Sequence, residues 1–182
     1  IQNFDVKPYN KIHFGEVNTD FTLIHQILDL LPPHLFNNPH LTWLDPCCGC
    51  GYFSIALYQR LFKSLQTHIP NQKKRKKHII THMIYMIEIN PEHIPRILSI
   101  FGENVNIIMG DFLSLNNMQF DVIIGNPPFT CGGIIKTPTN TVHKKKHDGK
   151  SIWAAFIRCA LTNLTPGGYL TTITPSIWMK RD

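Results

Sequence analysis

A chain of 182 residues with 43% apolar content is long enough to fill one domain with a sizeable core. It holds no apolar run near the ~20 residues of a membrane span and opens on no charged-then-apolar leader, which argues against a membrane or signal-led protein. The net charge of +6 is local: ten of the 18 Lys and Arg residues fall in 73–77 and 136–150, and outside those stretches 11 acidic residues face 8 basic ones. A polyanionic partner touched at a loop is the expectation.

In chain order, Thr19 is a predicted N-cap for a helix carrying Phe21, Ile24, Ile27, Leu28 and Leu31, which Pro32-Pro33 stops. "LTWLD" (41–45) is a short apolar strand running into "PCCGCG", and Phe53, Leu57, Leu61 and Leu65 mark a helix from Tyr52. The polar stretch "QTHIPNQKKRKKH" (66–78) is a predicted solvated loop, with nuclear targeting as a second reading of its basic run. A second strand ends near Glu88, and Asn90-Pro91 opens a helix with Ile94, Ile97, Leu98 and Phe101 on one face. "VNIIMGD" and "FDVIIGNPPF" supply two more buried strands. Ser151 opens a helix to about Leu164, and Pro166-Gly167-Gly168 turns into a fifth strand, "YLTTIT".

Apolar strands alternating with helices predict an α/β, Rossmann-like, mostly parallel sheet with helices on both faces. Right-handed crossovers then bring Asp45, Glu88, Asp111 and Asn126 to one edge, where such sheets bind ligands.

The stretch 45–53, "DPCCGCGYF", admits two chemistries. Its C-x-x-C pair could be redox-active or, with Cys131, His143 and His147, bind zinc. Against both, Gly49 and Gly51 stand where a backbone approaches a ligand, and Asp45 stands where a ligand's charged group would sit. We read a cofactor loop and no metal. Glu88, ending the second strand, is the usual partner of ribose hydroxyls. It lies 43 residues beyond Asp45, against ~20 in the dinucleotide fingerprint, and the 66–78 insertion accounts for the excess.

Asn126-Pro127-Pro128-Phe129 carries the chemistry. Two prolines stiffen the turn and point its carbonyls outward as acceptors. The Asn126 side-chain oxygen and the Pro127 carbonyl together suit an amino group, and Phe129 offers a flat face to a planar base.

With these motifs the chain resembles the S-adenosylmethionine-dependent amino-methyltransferases of class I, and most closely the N6-adenine-specific DNA methyltransferases. "DPCCGCGYF", "IEIN" and "GDF" look like their cofactor motifs, "GNPPF" like their catalytic motif, and "GEVNTDFTLIHQIL" like their amino-terminal motif. The resemblance implies S-adenosylmethionine as cofactor, held by Thr19, Asp45, Pro46, Cys47, Gly49, Gly51, Glu88, Ile89, Asp111, Phe112 and Asn126. It implies catalysis at Asn126, Pro127, Pro128 and Phe129 on an adenine flipped from double-stranded DNA. Lys136, Lys144, Lys145, Lys146 and Lys150 follow the fourth strand and are expected to meet phosphates. Glutamine amides of release factors, RNA adenine, and a non-catalytic binding fragment are the alternatives. An intracellular protein, cytoplasmic or nuclear and not secreted, is expected. Residues 1–182 read as one methyltransferase domain. Family members carry two further strands and a target-recognition region, and the chain opens on Ile1, so a longer protein is expected.

Overall fold

In the computed structural model, residues 7–115, 118–131 and 150–179 are described. Their centre is a parallel sheet of β1 (Trp43–Asp45), β2 (Ile84–Glu88), β3 (Asn106–Met109), β4 (Phe120–Gly125) and β7 (Leu164–Thr172), in the order β3-β2-β1-β4-β7. A small antiparallel ribbon pairs β5 (Thr130–Cys131) with β6 (Lys150–Ser151).

Strand alternation divides the core in two. Trp43, Ile84, Met86, Val122 and Ile124 face one side and meet Ile24, Leu28, Leu57, Leu61 and Ile97. Those partners come from α2 (Phe21–Asp29), α3 (Tyr52–Ser64) and α5 (Ile94–Phe101). Leu44, Ile87 and Ile123 face the other side and meet Phe112, Phe156 and Ala160, the last two on α6 (Trp153–Thr162). Residues adjacent in a strand thus bury on opposite faces, which is why the strands read as continuous apolar runs.

Four local expectations are corrected. Asp20, not Thr19, caps α2: its carboxylate accepts from the Thr22 amide at 2.8 Å. The 66–78 stretch is not all loop, because Asn71 caps a helix, α4 (Gln72–His78). Its Arg75 is buried, donating to the Ile69 carbonyl at 2.7 Å and lying 4.2 Å from the Phe62 ring centre. That anchored guanidinium is what holds a lysine-rich segment helical. β3 is an edge strand whose Met109 is 66% exposed, rather than a buried one. Pro166-Gly167-Gly168 is a bulge inside β7, where pairing jumps from Phe120–Leu164 to Val122–Tyr169.

α1 (Pro8–Phe14) precedes a non-helical segment, 15–20. Gly15 ends α1 with φ +65°, and a Cβ there would lie 2.6 Å from the Thr130 carbonyl oxygen and 2.9 Å from Pro128 Cβ. The segment is therefore pressed against the turn that follows β4. Among the described residues, no helix is long and apolar enough to cross a membrane.

Candidate active site

A crevice opens on the C-terminal edge of the sheet, between the 13–19 segment, the 46–50 loop, the ends of β2 and β3, and the turn after β4. Thr19, Pro46, Cys47, Gly49, Glu88, Ile89, Asp111, Phe112, Asn126 and Pro128 all line it, so residues far apart in sequence converge as the topology requires. Asp45, Gly51, Pro127 and Phe129 do not line it.

Each non-lining residue has a different position. Gly51 is the N-cap of α3 with φ +85°, and a Cβ would lie 2.7 Å from Ile97 Cδ1, so its close approach is to α5 and not to a ligand. Asp45 is 2% exposed behind the loop, and its Oδ2 accepts from the Ser54 hydroxyl at 2.8 Å. Oδ1 is buried without a partner. Burial raises its carboxyl to about 7, against the hydrogen bonds from Ser54 and the Cys47 backbone, and Glu88 adds to the rise. Pro127 is buried and Phe129 half-buried; the Phe129 carbonyl accepts from the Ile152 and Trp153 amides at 3.0 and 3.3 Å, tying the turn to the start of α6.

Glu88 orders the crevice floor. Its Oε2 accepts from the Gly49 amide at 2.6 Å and its Oε1 from the Asn90 amide at 2.7 Å. A carboxylate oxygen has two acceptor sites, so each keeps one for a hydroxyl donor. Asp111, on the crevice lining, accepts from the Leu113 amide through Oδ1 at 2.9 Å. Phe112 packs on Phe156 with ring centres 5.8 Å apart. Opposite them, the Asn126 amide nitrogen donates to the Thr19 hydroxyl at 3.1 Å. In this arrangement the side-chain oxygen is left to accept.

The redox reading of the cysteines is disfavoured by burial. Burial pushes the thiols of Cys47 and Cys48 well above their ordinary value and raises that of Cys50, whereas redox chemistry needs a thiolate. His143 and His147 lie outside the described residues, as do Lys136, Lys144, Lys145 and Lys146. Lys150 pairs with Cys131 in the ribbon beside the Asn126 turn.

Sequence reasoning missed Glu16, Asn90 and His93, which also line the crevice. His93 Nε2 lies 3.2 Å from Glu16 Oε1 and Nδ1 lies 3.6 Å from Glu88 Oε1. Burial alone would lower the imidazole, but the hydrogen bond to Glu16 and the facing Glu88 outweigh it and raise it from 6.5 to about 9. The signal present in sequence was the turn "EINPEH" (88–93), whose two intervening helix starters bring His93 back under Glu88. Glu16 gave none.

A parallel sheet in this strand order, with acidic residues and an Asn-Pro-Pro turn on its ligand edge, defines a class I methyltransferase fold. The structure of the type I restriction enzyme EcoKI M protein superposes with a TM-score of 0.60 at 19% identity, over 85% of this chain and 33% of that one. A protein of Listeria monocytogenes assigned to the class I S-adenosylmethionine-dependent methyltransferases gives 0.57 at 14% identity, over 97% and 50%. The chain belongs to the Eco57I restriction-modification methylase family, whose profile matches residues 41–182. It is 40% identical over 85 residues to an uncharacterized adenine-specific methylase of Mycoplasma pneumoniae, covering 45% of this chain and 20% of that protein. It is 27% identical over 158 residues to the type II methyltransferase M.PaeR7I of Pseudomonas aeruginosa, covering 75% and 27%. The chain thus spans about a quarter or less of the length of these relatives.

Proposed function

We propose that the protein transfers a methyl group from S-adenosylmethionine to the N6 amino group of an adenine in DNA. The observation that carries the reading is the Thr19-locked Asn126 amide, set on a Pro-Pro turn at the mouth of a crevice lined by Glu88 and Asp111. The family and both curated relatives are methylases, which supports it.

The crevice residues fit the cofactor. Glu88 keeps an acceptor site on each oxygen for ribose hydroxyls, and Asp111 Oδ2 suits an adenine amino group. Two buried carboxylate oxygens, Asp45 Oδ1 and Glu16 Oε2, lack partners and favour a cationic ligand. The cofactor supplies a methyl group on an electron-poor sulfonium. Gly49, Ile89 and Phe112 hold and orient, and closure of the apolar wall excludes water.

The target amine is a weak nucleophile because its lone pair is delocalised into the ring. Asn126 Oδ1 and the Pro127 carbonyl accept its two hydrogens, draw the nitrogen toward tetrahedral geometry and stabilise the positive charge that develops there. Pro128 stiffens the bend, and Phe129 stacks on a base flipped out of the duplex. Incubating the purified protein with labelled methyl donor and separate DNA, RNA and release-factor substrates tests the reading. Label in DNA is expected; label confined to RNA or protein rejects it.

Thr19 tests the lock. Thr19→Val keeps the shape and removes the hydroxyl, so the Asn126 amide loses its orienting partner. Turnover is expected to fall about tenfold, the scale of one net hydrogen bond, while the melting temperature holds. Unchanged turnover rejects the lock.

Lys136, Lys144, Lys145, Lys146 and Lys150 would meet backbone phosphates of the flanking duplex. Replacing Lys144, Lys145 and Lys146 by alanine is expected to reduce the slope of log affinity against log salt by up to ~3 units. A larger loss on replacing lysines of α4, which precedes β2 and so sits at the opposite end of the strands, would overturn this placement.

A further inference from the structure

We propose that His93 is a positioning residue that latches the 13–19 segment across the crevice, holding Glu16 with one ring nitrogen while the other faces Glu88. The proposal rests on reading the crevice as the cofactor site, and it adds a device that governs how tightly that site holds its ligand.

The geometry is that of a bridge. Glu16 sits between α1 and α2 on the segment forming one wall, and Glu88 ends β2 on the other. His93 is 8% exposed between them. The 3.2 Å contact to Glu16 is a charge-assisted hydrogen bond when the ring is protonated, and the 3.6 Å approach to Glu88 is an ion pair beyond hydrogen-bonding distance. Two buried carboxylates on opposite walls would repel each other without a cation between them. A second ion pair, Lys7 to Glu92 at 2.8 Å, joins the residue before α1 to the neighbour of His93 but is exposed, so it contributes little.

Two further attachments hold the segment to the turn after β4: Gly15 against Pro128 and Thr130, and Thr19 to Asn126. Releasing His93 would therefore free the wall over Glu88 while leaving the wall over Asn126 in place. Cofactor affinity should change and the catalytic turn should not.

Charged and titratable groups near the ring are Glu16, Glu88 and Cys50, with Glu92 beside it. Cys50, Glu16 and His93 each place a ligand atom within 4.8 Å of the others; the ion pair among them is His93 with Glu16, and Cys50, its thiol raised by burial, stands beside it uncharged. The imidazole gains its proton more readily in the folded protein than unfolded. Its contribution is therefore complete below about 6.5 and lost as the pH rises through about 9.

The test is calorimetric titration of wild type, His93→Gln, Glu16→Ala and Glu88→Gln with S-adenosylmethionine, with turnover measured at saturating cofactor. His93→Gln and Glu16→Ala are expected to weaken affinity about tenfold or more at neutral pH, the scale of a charge-assisted bond, and His93→Gln is expected to keep turnover within about twofold of wild type. Wild-type affinity should fall as the pH passes about 9, and His93→Gln should show no such fall. Unchanged affinity in both variants, or a loss of turnover at constant affinity, overturns the latch. Where Glu88→Gln loses the cofactor and His93→Gln keeps it, the crevice reading stands and the latch alone fails. Where Glu88→Gln binds like wild type, both fail. Should His93→Gln not fold, Glu16→Ala and the wild-type pH profile decide.

Discussion

Replacing Asn126 by alanine is expected to lower turnover by a factor of about 10²–10³, the effect of deleting one preorganised partner of a developing charge. The side chain follows β4 directly, is held by the Thr19 hydroxyl at 3.1 Å, and stands on a bend whose Phe129 carbonyl is fixed by two amides of α6. Contacts made before any charge builds on the amine would leave little to reorganise as it does, which is how a preorganised acceptor acts on the transition state. Asn126 is half-buried and its Nδ2 has a partner, so truncation removes one net hydrogen bond of about 1 kcal/mol from the fold, and the variant should stay folded. Methyl transfer into DNA read beside a thermal melt separates the two effects. Turnover within threefold of wild type would remove Asn126 from the reaction, whereas a collapsed melting transition would make the loss structural.

What the chain disclosed before folding depended on how local the determinant was. The five strands, the helix starting at Tyr52 and the acids at strand ends are written in short patterns, because apolar alternation and turn chemistry act over a few residues. The sequence also placed Asn126 and Thr19 in one site, through motif resemblance. It did not show that the two touch, since 107 residues separate them. Cap identity at α2 failed on a one-residue choice between Thr19 and Asp20, of which aspartate is the stronger capping type. The helical character of 72–78 was hidden because its lysines carry no apolar stripe; what stabilises it is a single anchored residue, Arg75 on Phe62, a contact across the fold. Glu16 and His93 sit inside quoted stretches, "GEVNTDFTLIHQIL" and "EINPEH", but their contact at 3.2 Å joins residues far apart in the chain and is made only by the fold.

The buried loop acid gives the second large effect, with two readouts of opposite sign. Asp45 is ionised in the unfolded chain above its ordinary value of 3.8, but burial holds the folded carboxyl to about 7. Below 3.8 both states are neutral and the residue contributes nothing to the balance. Between 3.8 and 7 the unfolded chain releases a proton that the folded protein keeps, so stability declines as the pH rises, and above 7 the penalty is constant. A rise of that size corresponds to about 4 kcal/mol at most. Asp45→Asn removes the charge and keeps an oxygen for Ser54, at a cost of about 1–3 kcal/mol for a buried amide nitrogen without a partner. The variant should therefore be more stable than wild type by about 2 kcal/mol above neutral pH, a rise of roughly 4–8 °C in melting temperature for a chain of this size, and should lose that advantage in acid, where wild type is already neutral. Cofactor affinity is expected to move the other way, because the buried carboxylate behind the loop attracts a cation in the crevice through the low-dielectric interior. Such a pairing of gained stability with lost binding is what a site kept electrostatically strained for its ligand predicts. Thermal melts of both proteins across the acid-to-neutral range, beside cofactor titrations, check it: a stability difference that does not change with pH would show that Asp45 carries no buried charge.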